Sequence, residues 1–463
     1  MLTLAQAVFN DKNLNLLPDC VEGGNLPALV VGPGKTSRAN IAAGLRLKTK
    51  RPLFVICADE NAAQNFKRDL EIFLKEPCGM LFSRDMNFYG AEGVSRENEQ
   101  KRIKTLYALA SDKAPVVVCT VAGLLQRTMP REALLNSAVT IEDGKTIPPE
   151  DVEKSLILCG YNRSVQVEGP GQYSRRGGIL DFFSPAYDSP VRCEFWGDDV
   201  DSMGFFDTDS QRRTERLESC EILPSREILA SLGESEILLD KLHEIIKQVS
   251  RRGNLKLAET MREDAEKFSE TGSISASDRY AALIYPQFVT ALDYIPSDAL
   301  VFLDKPGKVT ETATAFFKQH VEDINILMES GIIYGKTAQY FLPWEMASEK
   351  LKDFALIMSD NFMSGRYIIE PKSIISAAVK QLPSYGGSSE TAIEDVKHYT
   401  SQKFSVIVLA ADKRRAELLC DFFVGKGVKT ALDTELKRLP PEGSCVISVG
   451  SLTSGYEYPD AKF

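Results

Sequence analysis

The sequence contains few of the residues from which metal sites and nucleophilic sites are usually built. Among its 463 residues there are only 3 histidines, which are far apart and favour surface or capping roles: His243, His320 and His398. Its 9 cysteines form no CxxC pair, so neither a zinc site nor a disulfide framework is expected. Several, such as Cys57 and Cys119, stand in apolar runs that favour buried, reduced thiols.

Long apolar segments and an excess of positive charge are also absent. No run of about 18 apolar residues occurs, and the start of the chain lacks the pattern of a signal peptide. We therefore expect no membrane contact and a cytoplasmic location. With 55 basic and 65 acidic residues, the chain has a formal net charge of −10, which argues against nucleic-acid binding over its whole surface.

Apolar runs alternate with helix-like segments in the first part of the chain. The predicted strands are 27–32, 52–58, 79–82 and 115–120. This alternation is typical of a mostly parallel, doubly wound α/β sheet. Two later apolar segments, 283–286 and 300–304, are predicted to complete the sheet.

The chain divides into five predicted parts. They are 1–130 and 216–350 (two parts of one α/β domain), 131–215 (an inserted β-rich module), 351–395 (a linker) and 396–463 (a small α/β domain). The linker prediction depends on the Gly- and Ser-rich stretch 383–391. In the small domain, Asp412 is predicted to cap a helix.

The segment 160–213 has the most specific pattern in the chain. Apolar and polar residues alternate across 191–195, which predicts a strand with Arg192 and Glu194 together on its outer face. Residues 196–199, Trp-Gly-Asp-Asp, predict the turn of a hairpin. Glycines separate the other short β-prone runs, so the segment is predicted to be a compact β module.

The charged residues of this module favour recognition of a protein. Between residues 161 and 216 there are seven arginines, ten acidic residues and no lysine. Arginine is enriched at protein interfaces and lysine is depleted there, whereas such an acidic excess is unusual for a nucleic-acid surface. The simpler alternative is a solvated sheet whose charges only keep it soluble, and the composition alone leaves both interpretations open.

The motifs of this segment resemble a known family. They are G-Y-x-R, V-E-x-P-G-x-Y-S-x-R-G-G-I-L-D-x-F, P-V-R-x-E-F-W-G-D-x-V-D-S and F-D-x-x-S-Q-R. Together they resemble the module shared by the bacterial transcription-repair coupling factors (the Mfd family) and UvrB. In both families this module docks onto UvrA. The resemblance extends more weakly over the whole chain, and it implies a degenerate RecA/UvrB-like α/β domain around the module.

The resemblance also implies a set of partner-binding residues. They are Arg163, Tyr173, Arg176, Phe183, Arg192, Glu194 and Asp199. The arginines are expected to bond partner carboxylates, and Glu194 to receive a partner base. The sequence departs from the UvrB pattern at position 174, where UvrB relatives tend to have arginine and this chain has Ser174. Whether the neighbouring Arg175 substitutes for it stays open.

The segment Gly32, Gly34, Lys35 and Thr36 suggests a phosphate loop, but its spacing is wrong. A working loop follows GxxxxGK[ST], and the residue five positions before Gly34 is Leu29 rather than glycine. Pro33 also removes one backbone donor. We therefore predict a degenerate, non-functional loop. The UvrB family keeps an intact loop and a long aromatic hairpin, for which the segment 83–98 is too short.

The resemblance implies a recruiting role for this chain within a larger protein. It predicts a non-catalytic N-terminal scaffold, without a cofactor of its own, that recruits UvrA to stalled RNA polymerase. ATP, Mg²⁺, RNA polymerase and double-stranded DNA would be bound by a motor and by other parts beyond this chain. The alternative is a UvrB-like, ATP-dependent lobe that handles damaged DNA.

Two further alternatives concern other charged residues. Direct DNA contact by the α/β domain would use Lys48, Lys50, Arg51, Lys101, Arg102 and Lys104. Three acids at the hairpin, Asp198, Asp199 and Asp201, could suggest a metal or acid–base cluster. A solvated hairpin tip explains these acids more simply.

Overall fold

The fold was determined as a computed structural model. It describes residues 1–90, 96–232, 235–383, 385 and 389–463. Parts of two predicted loops, in 83–98 and 383–391, therefore lie outside the described residues.

The chain before the β module forms alternating strands and helices. The strands are β1 (Ala28–Val31), β2 (Leu53–Cys57), β3 (Gly79–Leu81) and β4 (Val116–Thr120). The helices are α1 (Leu2–Ala7), α2 (Leu17–Glu22), α3 (Lys35–Thr49), α4 (Glu60–Leu74), α5 (Glu97–Ala110), α6 (Val121–Leu125) and α7 (Arg131–Ser137). Helix α4 begins after Asp59, whose carboxylate accepts a hydrogen bond from the Ala62 amide.

The β module follows, and we use this name for β5 to β12. Its strands are β5 (Val139–Glu142), β6 (Asn162–Arg163), β7 (Gln172–Arg176), β8 (Ile179–Phe182), β9 (Val191–Trp196), β10 (Asp199–Phe206), β11 (Arg213–Arg216) and β12 (Ser219–Ile222). One helix, α8 (Pro149–Leu158), lies between β5 and β6. The predicted hairpin turn at 196–199 is confirmed, and Gly197 makes it with a φ of +63°.

The rest of the chain returns to α/β structure. Its helices are α9 (Ser235–Arg251), α10 (Leu255–Thr271), α11 (Ala281–Ile284), α12 (Pro306–Glu329), α13 (Trp344–Leu351), α14 (Ser389–Ser401) and α15 (Lys413–Gly425). Its strands are β13 (Leu300–Asp304), β14 (Ala355–Asp360), β15 (Ser373–Ser376), β16 (Lys380–Gln381), β17 (Val406–Ala410), β18 (Thr430–Leu432), β19 (Cys445–Val449) and β20 (Tyr456–Glu457).

A seven-stranded parallel sheet forms the centre of the molecule, in the order β15-β1-β14-β13-β2-β4-β3. Strands from before and after the β module pair within this one sheet, so the module is inserted into a single α/β domain. The inner strands of the central sheet are largely buried apolar runs, and separate apolar clusters cover the two faces of the sheet. The predicted fold class, a doubly wound α/β domain with an inserted β-rich module, is confirmed.

Two predictions about this sheet are wrong. Residues 283–286 are not a strand, because helix α11 ends at Ile284; a short apolar run does not by itself distinguish a buried strand from a buried helical turn. Residues 351–395 are not simply a linker, because β14 and β15 lie within them and pair on either side of β1. The other predicted domain boundaries stay predictions.

The small domain at the end of the chain has its own three-stranded parallel sheet, in the order β17-β19-β18. Asp412 caps α15 as predicted, because its carboxylate accepts a hydrogen bond from the Arg415 amide. Several hydrogen bonds join the end of the chain to the large domain, and two of them involve buried partners. The buried Tyr458 hydroxyl donates to Asn40, and the Thr453 amide donates to Asp69.

A cluster of buried charges lies where the chain leaves the β module. Arg102 of α5 is fully buried, and its Nε lies 2.8 Å from Oε1 of Glu227, although this contact lacks hydrogen-bond geometry and is an ion pair only. The Thr128 hydroxyl donates to the same carboxylate at 2.6 Å, and the Glu227 amide donates to Glu99 at 2.8 Å. Arg84 lies beside Glu99 and Glu227 and binds Asp278 with two nitrogens.

Burial changes the pKa of one carboxylate in this cluster. Burial raises the pKa of Glu99, and the positive charges of Arg84 and Arg96 oppose that rise. Because each buried charge of this cluster needs its partner, the contacts hold the segment around Glu227 against α5 and against Thr128.

Among the described residues, every helix is too short or too polar to cross a membrane.

Candidate protein-docking face

The β module is built on a six-stranded sheet in the order β11-β10-β9-β8-β7-β6. Because side chains alternate across a strand, each strand sends its residues to two faces. One face carries Tyr173, Leu180, Phe182, Val191 and Cys193, which pack in one buried cluster with residues of α8, β5 and β12. The predicted inward positions Val191 and Cys193 are therefore confirmed.

We call the opposite side of this sheet the polar face. The register places Ser174, Asp181, Arg192 and Gly204 in one row across four strands, and Ile179, Glu194 and Ser202 in the next row. Arg176 and Arg213 are exposed at this face. The sequence prediction that Arg192 and Glu194 share a face is confirmed.

Asp181 is the centre of the polar face. Its side chain is only 1% exposed, yet it accepts three hydrogen bonds from two arginines. Arg192 donates from Nε at 2.7 Å and from Nη2 at 2.8 Å, which is the bidentate geometry that a guanidinium favours. Arg176 donates from Nη2 at 2.9 Å. Asp181 therefore fixes the positions of both guanidinium groups.

The Arg192 side chain already uses four of its five N–H donors within the module. Besides Asp181, it donates to the backbone carbonyl and the side-chain oxygen of Gln211 at 3.1 and 3.2 Å. Its guanidinium also lies 4.6 Å from the centre of the Phe206 ring. The prediction that Arg192 bonds a partner carboxylate is thus not supported by the geometry, and we assign it a structural role.

Arg176, Glu194 and Arg213 are accessible charges of this face. Half of the Arg176 side chain is exposed. Arg213 lies 3.2 Å from Glu194, and both side chains bond the Ser202 hydroxyl. This exposed pair offers both a cation and an anion to a partner surface.

Trp196 lies at the end of the same face. It follows Glu194 by two positions on β9, so alternation places both on one side of the sheet. Its indole is 82% exposed, whereas the other tryptophan of the chain, Trp344, is 1% exposed.

With this geometry, the comparison with known proteins becomes informative. Residues 139–228 match the UvrB interaction domain. These bounds enclose the β module and Glu227 of the buried charge cluster. The sequence is also 26% identical to a transcription-repair-coupling factor of Bacillus subtilis over 437 residues, which are 93% of this chain and 37% of that protein. A transcription-repair-coupling factor of Staphylococcus haemolyticus is 23% identical over 470 residues, covering 98% of this chain and 39% of that protein.

These comparisons confirm the resemblance predicted from the motifs. The chain is similar to transcription-repair coupling factors and carries the UvrB-type interaction module within it. It spans about two-fifths of the length of the curated relatives it matches.

Two predicted contact residues of the UvrB-type module are buried. The Tyr173 ring packs in the covered core of the sheet, and burial raises the pKa of its phenol. Phe183 packs with Val167 and Phe206 in a small separate cluster. Because neither ring reaches the surface, the structure contradicts a direct contact by either, and both shape the module from within.

Two other predicted residues are exposed, and only Arg163 lies away from the polar face, because Asp199 pairs in register with Trp196. Arg163 is at the edge of the sheet and pairs in register with Tyr173, which places it on the side of the covered face. Asp199 accepts a hydrogen bond from the Thr146 hydroxyl at the hairpin. The structure therefore does not unite the predicted set into a single patch.

The open question about Arg175 is resolved by its position. Arg175 alternates with Ser174 and Arg176, so it lies on the covered side, where it bonds Glu150 and Glu153 of α8. The buried Ser174 hydroxyl bonds the Val165 carbonyl. Arg175 cannot take the place of an arginine at position 174 on the polar face.

The sequence interpretation missed Asp181, Trp196 and Arg213. Signals were present for two of them, because Trp196 stands at the end of the alternating run and Asp181 lies within the family motif. Their importance depends on which residues are paired across strands, and that is decided by register.

The degenerate phosphate loop follows the carboxyl end of β1. Residues from later segments of the chain contact it. A side chain at Gly32 would meet the Ala377 carbonyl oxygen at 2.3 Å. The Thr36 hydroxyl bonds both the amide and the hydroxyl of Ser454. Gly34 lies against the Gln381 side chain. The segment with Ala377 and Gln381 and the segment with Ser454 therefore both reduce the space around the loop.

A cavity of about 360 Å³ remains beside Lys35. Its lining includes three carboxylates, Asp59, Asp69 and Asp304, and the last of these is paired with Arg38. Lys35, Lys305 and Lys308 line the same cavity, so its lining carries charges of both signs.

Three of the six candidate DNA-contacting residues are engaged within the protein. Arg102 is buried, and Lys101 and Lys104 are paired with Glu97 and Asp188. Direct DNA contact by Arg102 is therefore contradicted. Within the part of the chain that the structure describes, no cluster of His, Cys, Asp or Glu has the composition to hold a metal ion.

Proposed function

We propose that this chain is the UvrA-docking part of a transcription-repair coupling factor, with the polar face of the β module as the contact surface. The observation that carries the proposal is the match of residues 139–228 to the UvrB interaction domain, together with the exposed charges of one sheet face. The covered face is occupied by the module's own core, so the polar face is the side from which a partner can approach.

The chemistry of this face suits a polypeptide with mixed charges. Arg176 and Arg213 would bond partner carboxylates, and Glu194 would bond a partner base. Asp181 and Arg192 would hold Arg176 and the sheet in place rather than contact the partner. Exposed lysines are rare here, because the segment has no lysine between residues 161 and 216.

The double variant Arg176→Ala with Arg213→Ala is expected to weaken UvrA binding by about 30-fold or more, because each truncation removes a charge-assisted contact worth roughly 1 to 2 kcal/mol. Isothermal titration of purified UvrA into the chain measures this change. Arg175→Ala is the matched control, since it removes the neighbouring guanidinium from the opposite, covered face.

The control should bind UvrA within about 2-fold of the parent chain. If the Arg175 variant were as weak as the double variant, or if the double variant bound like the parent, the polar face would not be the docking surface.

The wider role follows from the same relationship. In a complete coupling factor, this scaffold would bring UvrA to stalled RNA polymerase in the cytoplasm. Binding of double-stranded DNA and RNA polymerase, and ATP- and Mg²⁺-dependent translocation, would belong to segments outside this chain. The scaffold itself would be non-catalytic.

We also propose that the loop at 32–36 binds no nucleotide. A fluorescent ATP analogue with Mg²⁺ is expected to show no saturable anisotropy change with this chain, at concentrations that saturate a UvrB protein used as the positive control. The reason is the altered spacing of the loop and the contacts of Ala377 and Ser454 against it.

Lys35 and Lys308 are two exposed lysines at the same cavity. The variants Lys35→Ala and Lys308→Ala should likewise show no saturable binding of the ATP analogue. Saturable binding that is lost in Lys35→Ala and kept in Lys308→Ala would instead support the UvrB-like, ATP-dependent alternative.

A further inference from the structure

Trp196 is the most unusual side chain on the polar face. A tryptophan side chain carries roughly 150–250 Å² of largely apolar surface, which is costly to leave in water. The chain has two tryptophans, and it buries Trp344 in the core of the large domain while leaving 82% of Trp196 exposed. Packing within the module therefore does not explain why an indole stands at this position.

The position of Trp196 makes it accessible to a flat or concave surface. It is the last residue of β9 and pairs in register with Asp199 across the hairpin. Gly197 follows it with a φ of +63°, and a Cβ added there would meet no atom within 4 Å. The indole thus stands exposed at the tip of a tightly turned hairpin, whose backbone is held by the sheet and by a hydrogen bond from the Ile147 amide to the Asp198 carbonyl.

Trp196 has the kinds of neighbours that are typical of the centre of a protein interface. Glu194 and its ion-pair partner Arg213 lie on the same face, and the half-buried Ile179 is opposite Glu194 in register. An aromatic anchor beside apolar and charged neighbours is typical of the residues that dominate binding energy at protein interfaces.

We propose that Trp196 is the apolar anchor of the docking face, and that the partner surface has an apolar recess for the indole with carboxylates on its rim. The rim carboxylates would face Arg176 and Arg213, whose charges complement them. This inference rests on the proposed function. It adds that Trp196 supplies most of the binding affinity and that the partner must have an apolar recess with carboxylates around it.

Trp196→Ala in the full chain is expected to weaken UvrA binding by about 30-fold or more, whereas Trp196→Phe should retain most of the affinity. The matched control is Phe362→Ala, because Phe362 is also 82% exposed but lies on the α/β domain. It should bind UvrA like the parent. Since both rings are exposed, thermal unfolding should be nearly unchanged in either variant.

A second measurement follows the indole directly. Labelling the chain with 5-fluorotryptophan gives two fluorine resonances, one for each tryptophan. Addition of unlabelled UvrA should shift and broaden the resonance that is absent from the Trp196→Phe variant, and should leave that of Trp344 in place.

The outcomes separate the inference from the function on which it rests. If the parent chain binds UvrA and Trp196→Ala binds within 2-fold of it, the anchor is wrong and the docking function stands. If the parent does not bind UvrA, both are wrong. If sedimentation shows self-association that is lost in Trp196→Ala, the indole serves a second copy of the chain, and the proposed recess on UvrA is wrong.

Discussion

Replacing Glu227 with alanine is expected to destabilise the folded chain by about 3 to 5 kcal/mol, because Arg102 would be left buried without its counter-charge. Arg102 is fully buried and Arg84 is almost so, which means that solvent cannot replace the lost carboxylate. The Thr128 hydroxyl would lose its acceptor as well. Glu227→Gln should cost less than the alanine variant, since an amide oxygen can still accept from Thr128.

Urea unfolding followed by tryptophan fluorescence measures this change. Trp344 is buried in the core of the large domain, so its emission reports on that domain, whereas the exposed Trp196 contributes little change. The matched control is Glu311→Ala, which breaks an exposed ion pair with Lys308 and should cost less than about 1 kcal/mol. Equal midpoints for the Glu227 and Glu311 variants would show that the buried cluster does not hold the module in place.

Replacing Asp181 with alanine is expected to cost about 3 kcal/mol of stability in the β module and to weaken UvrA binding by more than 10-fold. The carboxylate accepts three hydrogen bonds from Arg176 and Arg192, and it is buried between them. Without it, the Arg192 guanidinium keeps its Gln211 hydrogen bonds and its Phe206 contact, and Arg176 loses its hydrogen bond to the carboxylate. Binding therefore falls although Asp181 itself does not touch the partner.

The matched control for this effect is Asp188→Ala. Asp188 belongs to the same module, but its carboxylate is almost fully exposed and is paired with Lys104 at the surface. Its loss should change neither stability nor binding measurably. A binding assay at a temperature well below the unfolding transition separates positioning from unfolding. If the Asp181 variant is destabilised but binds UvrA like the parent, Asp181 supports the fold without orienting the docking residues.

Local patterns in the sequence predicted the strands and the hairpin well. The strands predicted at 52–58 and 115–120 correspond to Leu53–Cys57 and Val116–Thr120, because a continuous apolar run suits a strand buried on both sides. The alternation over 191–195 likewise set which residues of β9 point inward. In these segments the local pattern and the tertiary environment agree.

The candidate site was predicted less completely, because residue type does not reveal the partner of a charged side chain. Arg176 and Arg192 are both arginines of the family motifs, yet Arg192 is engaged mainly within the module and Arg176 is half exposed. Tyr173 and Phe183 were predicted to contact the partner from the same motif, but their rings fill cores. A motif conveys which residues occur together, not which of them reach the surface.

The sequence by itself determined the alternating α/β architecture, the inserted β module and its resemblance to a UvrA-docking domain, since these depend on local hydrophobic period and on motif spacing. Only the tertiary structure decided that Asp181 lies between two arginines, that 355–360 and 373–376 join the central sheet, and that Trp196 stands exposed at a hairpin tip. The physical reason is that strand register and long-range pairing bring together residues distant in the chain, and burial follows from those contacts rather than from residue type.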